Sequence, residues 1–237
     1  MSAFVPAFQT RPLLLDVEGL AVQLSVITNT AELIDELIAK GSEHEDVQDE
    51  RIPYWADLWP SALALSRHLV RSGIVQPGMQ VTEMGCGLGL PGIVAGLLGA
   101  ETTLTDYLPD ALRFAHRNWG QNLSRPARFE LMDWRQPDPG LAADLLLASD
   151  VAYESRAFSF LPQAFRTLCR PGGTILLSEP NRAVASGFLA GLEAEGFQVA
   201  SYPYKGVFEQ YTYQVNVYAL KQTEFPPYLP PSSAGTI

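Results

Sequence analysis

The chain has 237 residues, of which 47% are apolar and 18% charged, and a formal net charge of −10. That supply of apolar side chains supports a sizeable core and excludes global disorder, and the length suits one large domain or one domain with an appendage. The acidic balance argues against a nucleic-acid partner, whose phosphates call for clustered Lys and Arg, and is compatible with a basic protein substrate.

Leu13 to Ile27 mixes apolar and polar residues around Glu18-Gly19, the pattern of a two-stranded hairpin. Leu13-Leu14-Leu15 is too short a run for a signal peptide, and Asp16 interrupts it. No run approaches the roughly 18 apolar residues of a membrane span, so no membrane partner is expected. Asn29-Thr30-Ala31-Glu32 reads as a capping box, and Leu33, Ile34, Leu37 and Ile38 form a helical stripe that ends at Gly41. Ser42 to Arg51 is charged and reads as an exposed, mobile link. Residues 1–51 are too few for a core of their own, so they read as a hairpin-and-helix extension of the domain at 52–222. Residues 223–237 read as a flexible, proline-rich tail.

Ile52 to Ser61 crowds Tyr54, Trp55 and Trp59 between Pro53 and Pro60, ahead of a helix running to Gly73. Tyr54 and Trp55 suit packing and a binding rim equally. The strand Val81 to Met84 then runs into Gly85-Cys86-Gly87-Leu88-Gly89, with Pro91 opening the next helix. Glycines let backbone N–H groups approach a ligand that a Cβ would exclude, and a helix N-terminus offers unpaired donors at the same spot. This strand–loop–helix therefore holds a small molecule over the end of a parallel strand. A dinucleotide fingerprint can be read at Gly87, Gly89 and Gly92, but it starts two residues after the strand ends and gives Glu83 no role. Cys86 lies in the loop and Cys169 precedes a Pro-Gly-Gly turn. The pair has no metal-ligand spacing, so no metal is expected, and it makes no disulfide scaffold; a reduced, cytoplasmic setting follows.

Glu101 to Asp106 reads as a second strand, and the Asp106 carboxylate at its end can accept two ribose hydroxyls, from either class of nucleotide. Pro109 to Asn122 reads as an amphipathic helix and Ala127 to Leu131 as a third strand, with Asp133-Trp134 beyond it. The nearly all-apolar Ala143 to Ala148 suits a central parallel strand and leads into Ser149-Asp150-Val151-Ala152-Tyr153. A helix through Leu161, Phe165 and Leu168 and a Pro-Gly-rich turn precede a fifth strand, Thr174 to Ser178. A helix over Ala183 to Glu195 follows. Phe197 to Tyr202 and Tyr211 to Leu220 read as a closing antiparallel pair.

Glu83-x-Gly85-x-Gly87-x-Gly89 resembles the first motif of class I S-adenosylmethionine (SAM) methyltransferases. The Trp55…Trp59-Pro60 segment and Asp150-Val151-Ala152-Tyr153 are similar to motifs of methyltransferase family 16, the protein-lysine methyltransferases. Glu179-Pro180-Asn181-Arg182 resembles the Asp-Pro-Gly-Arg of the group that methylates the electron-transfer flavoprotein β subunit, and departs from it at Glu179 and Asn181. The resemblance implies a Rossmann-like three-layer α/β sandwich, a mostly parallel seven-strand sheet ending in an antiparallel pair. It implies SAM as cofactor, held by Trp59, Gly85, Cys86, Gly87, Gly89, Asp106, Tyr107, Asp133, Trp134 and Ser149, with Glu83 positioning the methionyl amine. It places Asp150 and Tyr153 against a substrate lysine of a protein. A small-molecule N- or O-methyltransferase, a non-catalytic SAM-binding protein and, more remotely, a dinucleotide oxidoreductase remain alternatives on the residues alone.

Overall fold

The computed structural model describes residues 8–48 and 51–223; the expected proline-rich tail lies outside them from residue 224 on. Nine strands and seven α-helices follow in order among the described residues. They are β1 (Thr10–Val17), β2 (Leu20–Ile27), α1 (Thr30–Ala39), α2 (Glu45–Gln48), α3 (Pro60–Ser72), β3 (Gln80–Met84), α4 (Leu90–Leu97), β4 (Glu101–Asp106) and α5 (Pro109–Asn122). Then come β5 (Arg128–Leu131), β6 (Ala143–Ser149), α6 (Leu161–Leu168), β7 (Cys169–Glu179), α7 (Ser186–Gly191), β8 (Phe197–Phe208) and β9 (Tyr211–Gln222).

β1 and β2 form a separate antiparallel ribbon, and the other strands form one sheet in the order β5-β4-β3-β6-β7-β9-β8. Pairing is parallel from β5 through β7 and antiparallel for β7–β9 and β8–β9. The chain runs outward from β3 through β4 to β5, then returns to place β6 on the other side of β3. The carboxyl ends of β3 and β6 therefore flank the point where strand order reverses, where open α/β sheets hold their ligands.

Side-chain alternation along β6 divides the interior. Leu145 and Leu147 join one core with residues of α3, α4 and α5, whereas Leu146 and Ala148 join a second core with α6 and α7's neighbours Ala185 and Leu192. The β1–β2 ribbon belongs to the first of these. Val17, Val22 and Leu24 are fully buried there, and Asn118 of α5 accepts a hydrogen bond from the Ser25 amide at 2.7 Å. The extension thus completes the outer wall of the α3–α5 layer.

Of the expected 42–51 link, the described residues 42–48 are mostly exposed, as expected, and the Asp46 carboxylate pairs with Lys40 at 2.5 Å and Arg51 at 2.7 Å. Several boundaries differ from the sequence reading. β7 starts at Cys169, five residues early, because the Pro-Gly-Gly stretch is absorbed as an irregularity in its pairing with β6. The final link shrinks to a two-residue turn, since residues 203–208 pair on as strand. α7 covers only part of the expected helix, a single 3₁₀ turn preceding it.

Candidate functional site

One cavity of about 520 Å³ lies over the carboxyl ends of β3, β4 and β6, a size suited to a small organic ligand. Its floor is the glycine loop. Gly85, Gly87 and Gly89 all have positive φ, at 67°, 50° and 83°, where a side chain is strained. A Cβ on Gly85 would stand 2.6 Å from Cζ2 of Trp134, and one on Gly87 would stand 3.1 Å from the Trp55 carbonyl oxygen. The loop is thus bare because its neighbours already press against it.

The loop is fixed to the neighbouring strand. The Cys86 amide donates to the Thr105 carbonyl at 2.9 Å, and the Gly87 amide donates to Asp106 Oδ2 at 3.0 Å. Asp106 Oδ1 accepts from the Leu108 amide, also at 3.0 Å. Burial raises the Asp106 carboxyl to about 6, against the pull of those two amides. Each oxygen keeps a lone pair for a hydroxyl donor. Cys86 is buried, and burial holds its thiol well above the ordinary range, so it serves as a wall rather than a nucleophile.

The far end is built by residues after β5. Asp133 grips its own neighbour: Arg135 donates from Nε at 2.8 Å and 2.9 Å and from its amide at 2.9 Å. Burial pushes the Asp133 carboxyl up, but Arg135 overcomes it and holds the group below the usual range. Arg135 also lies over the Tyr107 ring, 5.5 Å from its centroid, while Arg51 lies 5.3 Å from the same centroid and donates from Nε to the Tyr107 hydroxyl at 3.1 Å. The Trp134 Nε1 donor is buried without a partner.

At the near end, Tyr54, Trp59 and Tyr153 stand edge to face, with Tyr54 5.7 Å from Tyr153 and 6.1 Å from Trp59. Burial lifts the Tyr153 hydroxyl to about 12, so it stays protonated. Asp150 sits beside them in a left-handed conformation, φ 59°, with Oδ1 paired to Arg182 and Oδ2 buried without a partner.

Trp59, Gly85, Cys86, Gly87, Gly89, Asp106, Tyr107, Asp133, Trp134, Ser149, Asp150 and Tyr153 all line this one cavity. Glu83, expected to help position the methionyl amine, is not among the lining residues. Strand alternation turns it to the same side as Val81, beneath the loop and fully buried, where its Oε2 accepts from the Gly92 amide at 2.9 Å. Arg51, Arg135 and Arg182 also line the site and were not singled out in the sequence. Only Arg182 carried a signal, as the last residue of Glu-Pro-Asn-Arg. Tyr54 and Trp55 both reach the cavity, and Trp55 also packs against Phe114 at 5.5 Å, so it serves both purposes.

Residues 42–194 match the family model described as lysine methyltransferase. The chain belongs to the lysine methyltransferase family. Among curated members of that family, mouse EEF1A lysine methyltransferase 3 is 34% identical over 138 residues, covering 56% of this chain and 59% of the mouse protein. The zebrafish (Danio rerio) electron transfer flavoprotein beta subunit lysine methyltransferase is 33% identical over 135 residues, covering 55% and 51%. The chain thus spans about half to three-fifths of these relatives' length. Magnesium protoporphyrin IX methyltransferase from Synechocystis PCC 6803, solved with bound SAM, superposes with a TM-score of 0.54 at 18% identity over 83% of this chain and 99% of its own. That likeness is one of fold. The cavity's residues fit SAM: a glycine floor without side chains, the Asp106 carboxylate with lone pairs left for hydroxyl donors, and Asp133 with the unpartnered Trp134 Nε1 for the base.

Proposed function

We propose that this lysine methyltransferase family member transfers a methyl group from SAM to a lysine side chain of a protein. The observation that carries the reading is Asp150. It opens into the same cavity as the glycine floor, at the aromatic end, and holds one buried oxygen without a partner. An aromatic-lined cavity with an unsatisfied carboxylate oxygen in its wall suits an aliphatic chain ending in an amine.

When bound, SAM supplies a methyl group on a positively charged sulfur, which leaves as a neutral thioether once an amine lone pair has taken the methyl. The glycine loop and Asp106 hold the nucleoside end, and Asp133 with Arg135 and Tyr107 closes over the base. Tyr54, Trp59 and Tyr153 exclude water around the substrate's methylenes, and that desolvation lowers the lysine's proton affinity. Asp150 Oδ2 orients the nitrogen by accepting one of its hydrogens, keeping the lone pair directed along the line of transfer. The lysine's surplus proton passes to water before transfer. Both cysteines are free and buried, which supports the reduced, cytoplasmic setting we assign to the protein.

The test is incubation of the purified protein with SAM carrying a tritiated methyl group and a cell extract supplemented with elongation factor 1A and the electron-transfer flavoprotein β subunit. An Asp150→Ala variant runs in parallel, and label is resolved by size. A labelled protein band that disappears with the variant is the expected result. Label confined to small solutes would replace the protein substrate with a metabolite.

A further inference from the structure

Two turns with left-handed non-glycine residues bring Asp150 and Arg182 together. Asp150 follows β6, and its amide donates to the Ser178 carbonyl on β7 at 2.9 Å. Beyond β7, Asn181 takes φ 62°, a conformation that Asn tolerates better than other side chains. Asn216 Nδ2 holds it by donating to Asn181 Oδ1 at 2.8 Å, and both oxygens of Glu179 accept from the Arg182 amide, at 3.0 Å and 3.1 Å. The Arg182 guanidinium is thereby delivered to Asp150 Oδ1 and lies 3.4 Å from Glu179 Oε1. Asp150 Oδ2 remains buried and unpartnered.

A solitary carboxylate is a poor neighbour for a lysine that has to lose a proton. Its charge favours the ammonium, which has no lone pair to offer, whereas a nearby cation favours the neutral amine. We propose that Arg182 is a positioning and charge-balancing residue: it occupies Asp150 Oδ1, so that Oδ2 orients the incoming lysine as a neutral amine instead of trapping it as an ammonium. The inference rests on the protein-lysine reading above. It gives the Glu-Pro-Asn-Arg turn a task, and it explains why an aspartate is tied to an arginine in the wall of a cavity where a cation arrives.

The other charged groups around the pair leave this balance in place. Glu179 is fully buried, and burial raises its proton affinity while Arg182 opposes that rise. Glu154 and Arg156 pair with each other at 2.5 Å. Tyr153 stays protonated, and Asp106 lies at the end of β4, committed to the amides of Gly87 and Leu108.

The experiment measures initial rates of label transfer to macromolecules, in the supplemented extract described above, from pH 6.5 to 10.5. Wild type, Arg182→Gln and Arg182→Lys are compared, with S-adenosylhomocysteine affinity measured by calorimetry on each preparation and folding checked by circular dichroism. Arg182→Gln is expected to shift the midpoint of the rising limb upward by about one pH unit, a tenfold loss at neutral pH that alkaline solution restores. Arg182→Lys is expected to keep the wild-type midpoint at a lower rate, and S-adenosylhomocysteine affinity to stay within about threefold in both. An unshifted midpoint in Arg182→Gln, with rates reduced equally at every pH, would overturn the charge role. If that variant does not fold or bind, the lysine variant decides: a midpoint displaced upward despite the retained charge overturns the inference. A wild type that labels no macromolecule at any pH removes the protein-lysine reading and this inference with it, whereas a shift failure in an active wild type removes the inference alone.

Discussion

The Gly92 amide donates a hydrogen bond to Glu83 Oε2 at 2.9 Å, while Glu83 Oε1 has no partner in a fully buried position. Glu83, the penultimate residue of β3, therefore ties that strand to the first turn of α4, and a Cβ on Gly92 would collide with the same oxygen at 2.6 Å. The unpaired N–H groups of a helix N-terminus favour an acidic acceptor there, but burial dominates. Burial raises the Glu83 carboxyl from 4.5 to about 8, with Gly92 opposing and the nearby Asp106 reinforcing it.

A pH dependence of stability follows. A carboxyl whose proton affinity is higher in the folded state binds more protons folded than unfolded throughout the window between the two values. Its contribution is fully present below about 4.5 and is lost as pH rises through about 8. Asp106 acts with the same sign between 3.8 and about 6. The ligand-free protein is expected to lose stability steadily from pH 5 to pH 8.5 in urea denaturation. Glu83→Gln keeps an acceptor for Gly92 and removes the ionisation, so its midpoint should fall less over that range. An equally steep decline in the variant would assign the effect elsewhere.

The glycine floor gives a second expectation. Gly85→Ala places a Cβ 2.6 Å from the Trp134 ring at φ 67°, so Trp134 has to move off the floor and into the volume beside it. Strain of this kind costs about 1–3 kcal/mol. Calorimetry with S-adenosylhomocysteine should show affinity reduced about tenfold or more, with the circular dichroism spectrum retained. Wild-type affinity would mean that the ligand does not use this end of the cavity.

How much of this was legible in the sequence depends on how local each feature is. The glycine loop, Asp106, Asp133-Trp134 and Asp150-x-x-Tyr153 each sit at a strand end, and alternating glycines or a carboxylate after an apolar run announce such ends directly. The direction of Glu83 was not legible in that way, because it depends on which face of β3 the α4 layer covers. The Asp150–Arg182 pair joins residues 32 positions apart through two left-handed turns, and nothing in either tetrapeptide states that they meet. β8 was cut short because residues 203–208 are held by pairing with β9, and Pro203, Lys205 and Gly206 have little strand propensity of their own.

The ribbon at the N-terminus carries a stability expectation. Leu24 is fully buried in the α3–α5 core, and Asn118 and Asn122 of α5 bond the β2 backbone at Ser25 and Gln23. Leu24→Ala should cost about 2–5 kcal/mol, read as a lower denaturation midpoint. Removing residues 8–28 should leave the remainder unable to fold cooperatively, since the apolar face of its outer helical layer would be exposed to water. A truncated protein that melts as sharply as the full chain would make the ribbon an independent attachment.

Asp150 separates binding from chemistry. Its carboxylate is paired with Arg182 and makes no hydrogen bond to the glycine loop, whereas the Gly87 amide is bonded to Asp106. Asp150→Ala should therefore leave S-adenosylhomocysteine affinity within about threefold of wild type. It should lower methyl transfer by about a hundredfold or more, the scale on which loss of orientation at a reacting atom is felt. It also strands Arg182 beside Glu179, so the comparison with Asp150→Asn matters. The amide keeps an acceptor oxygen for the amine and removes the charge. If orientation is Asp150's contribution, Asp150→Asn should retain more turnover than Asp150→Ala; if the negative charge itself is required, the two should fail alike. Full activity in Asp150→Ala would move the amine's partner to Tyr153 or to the backbone of the loop.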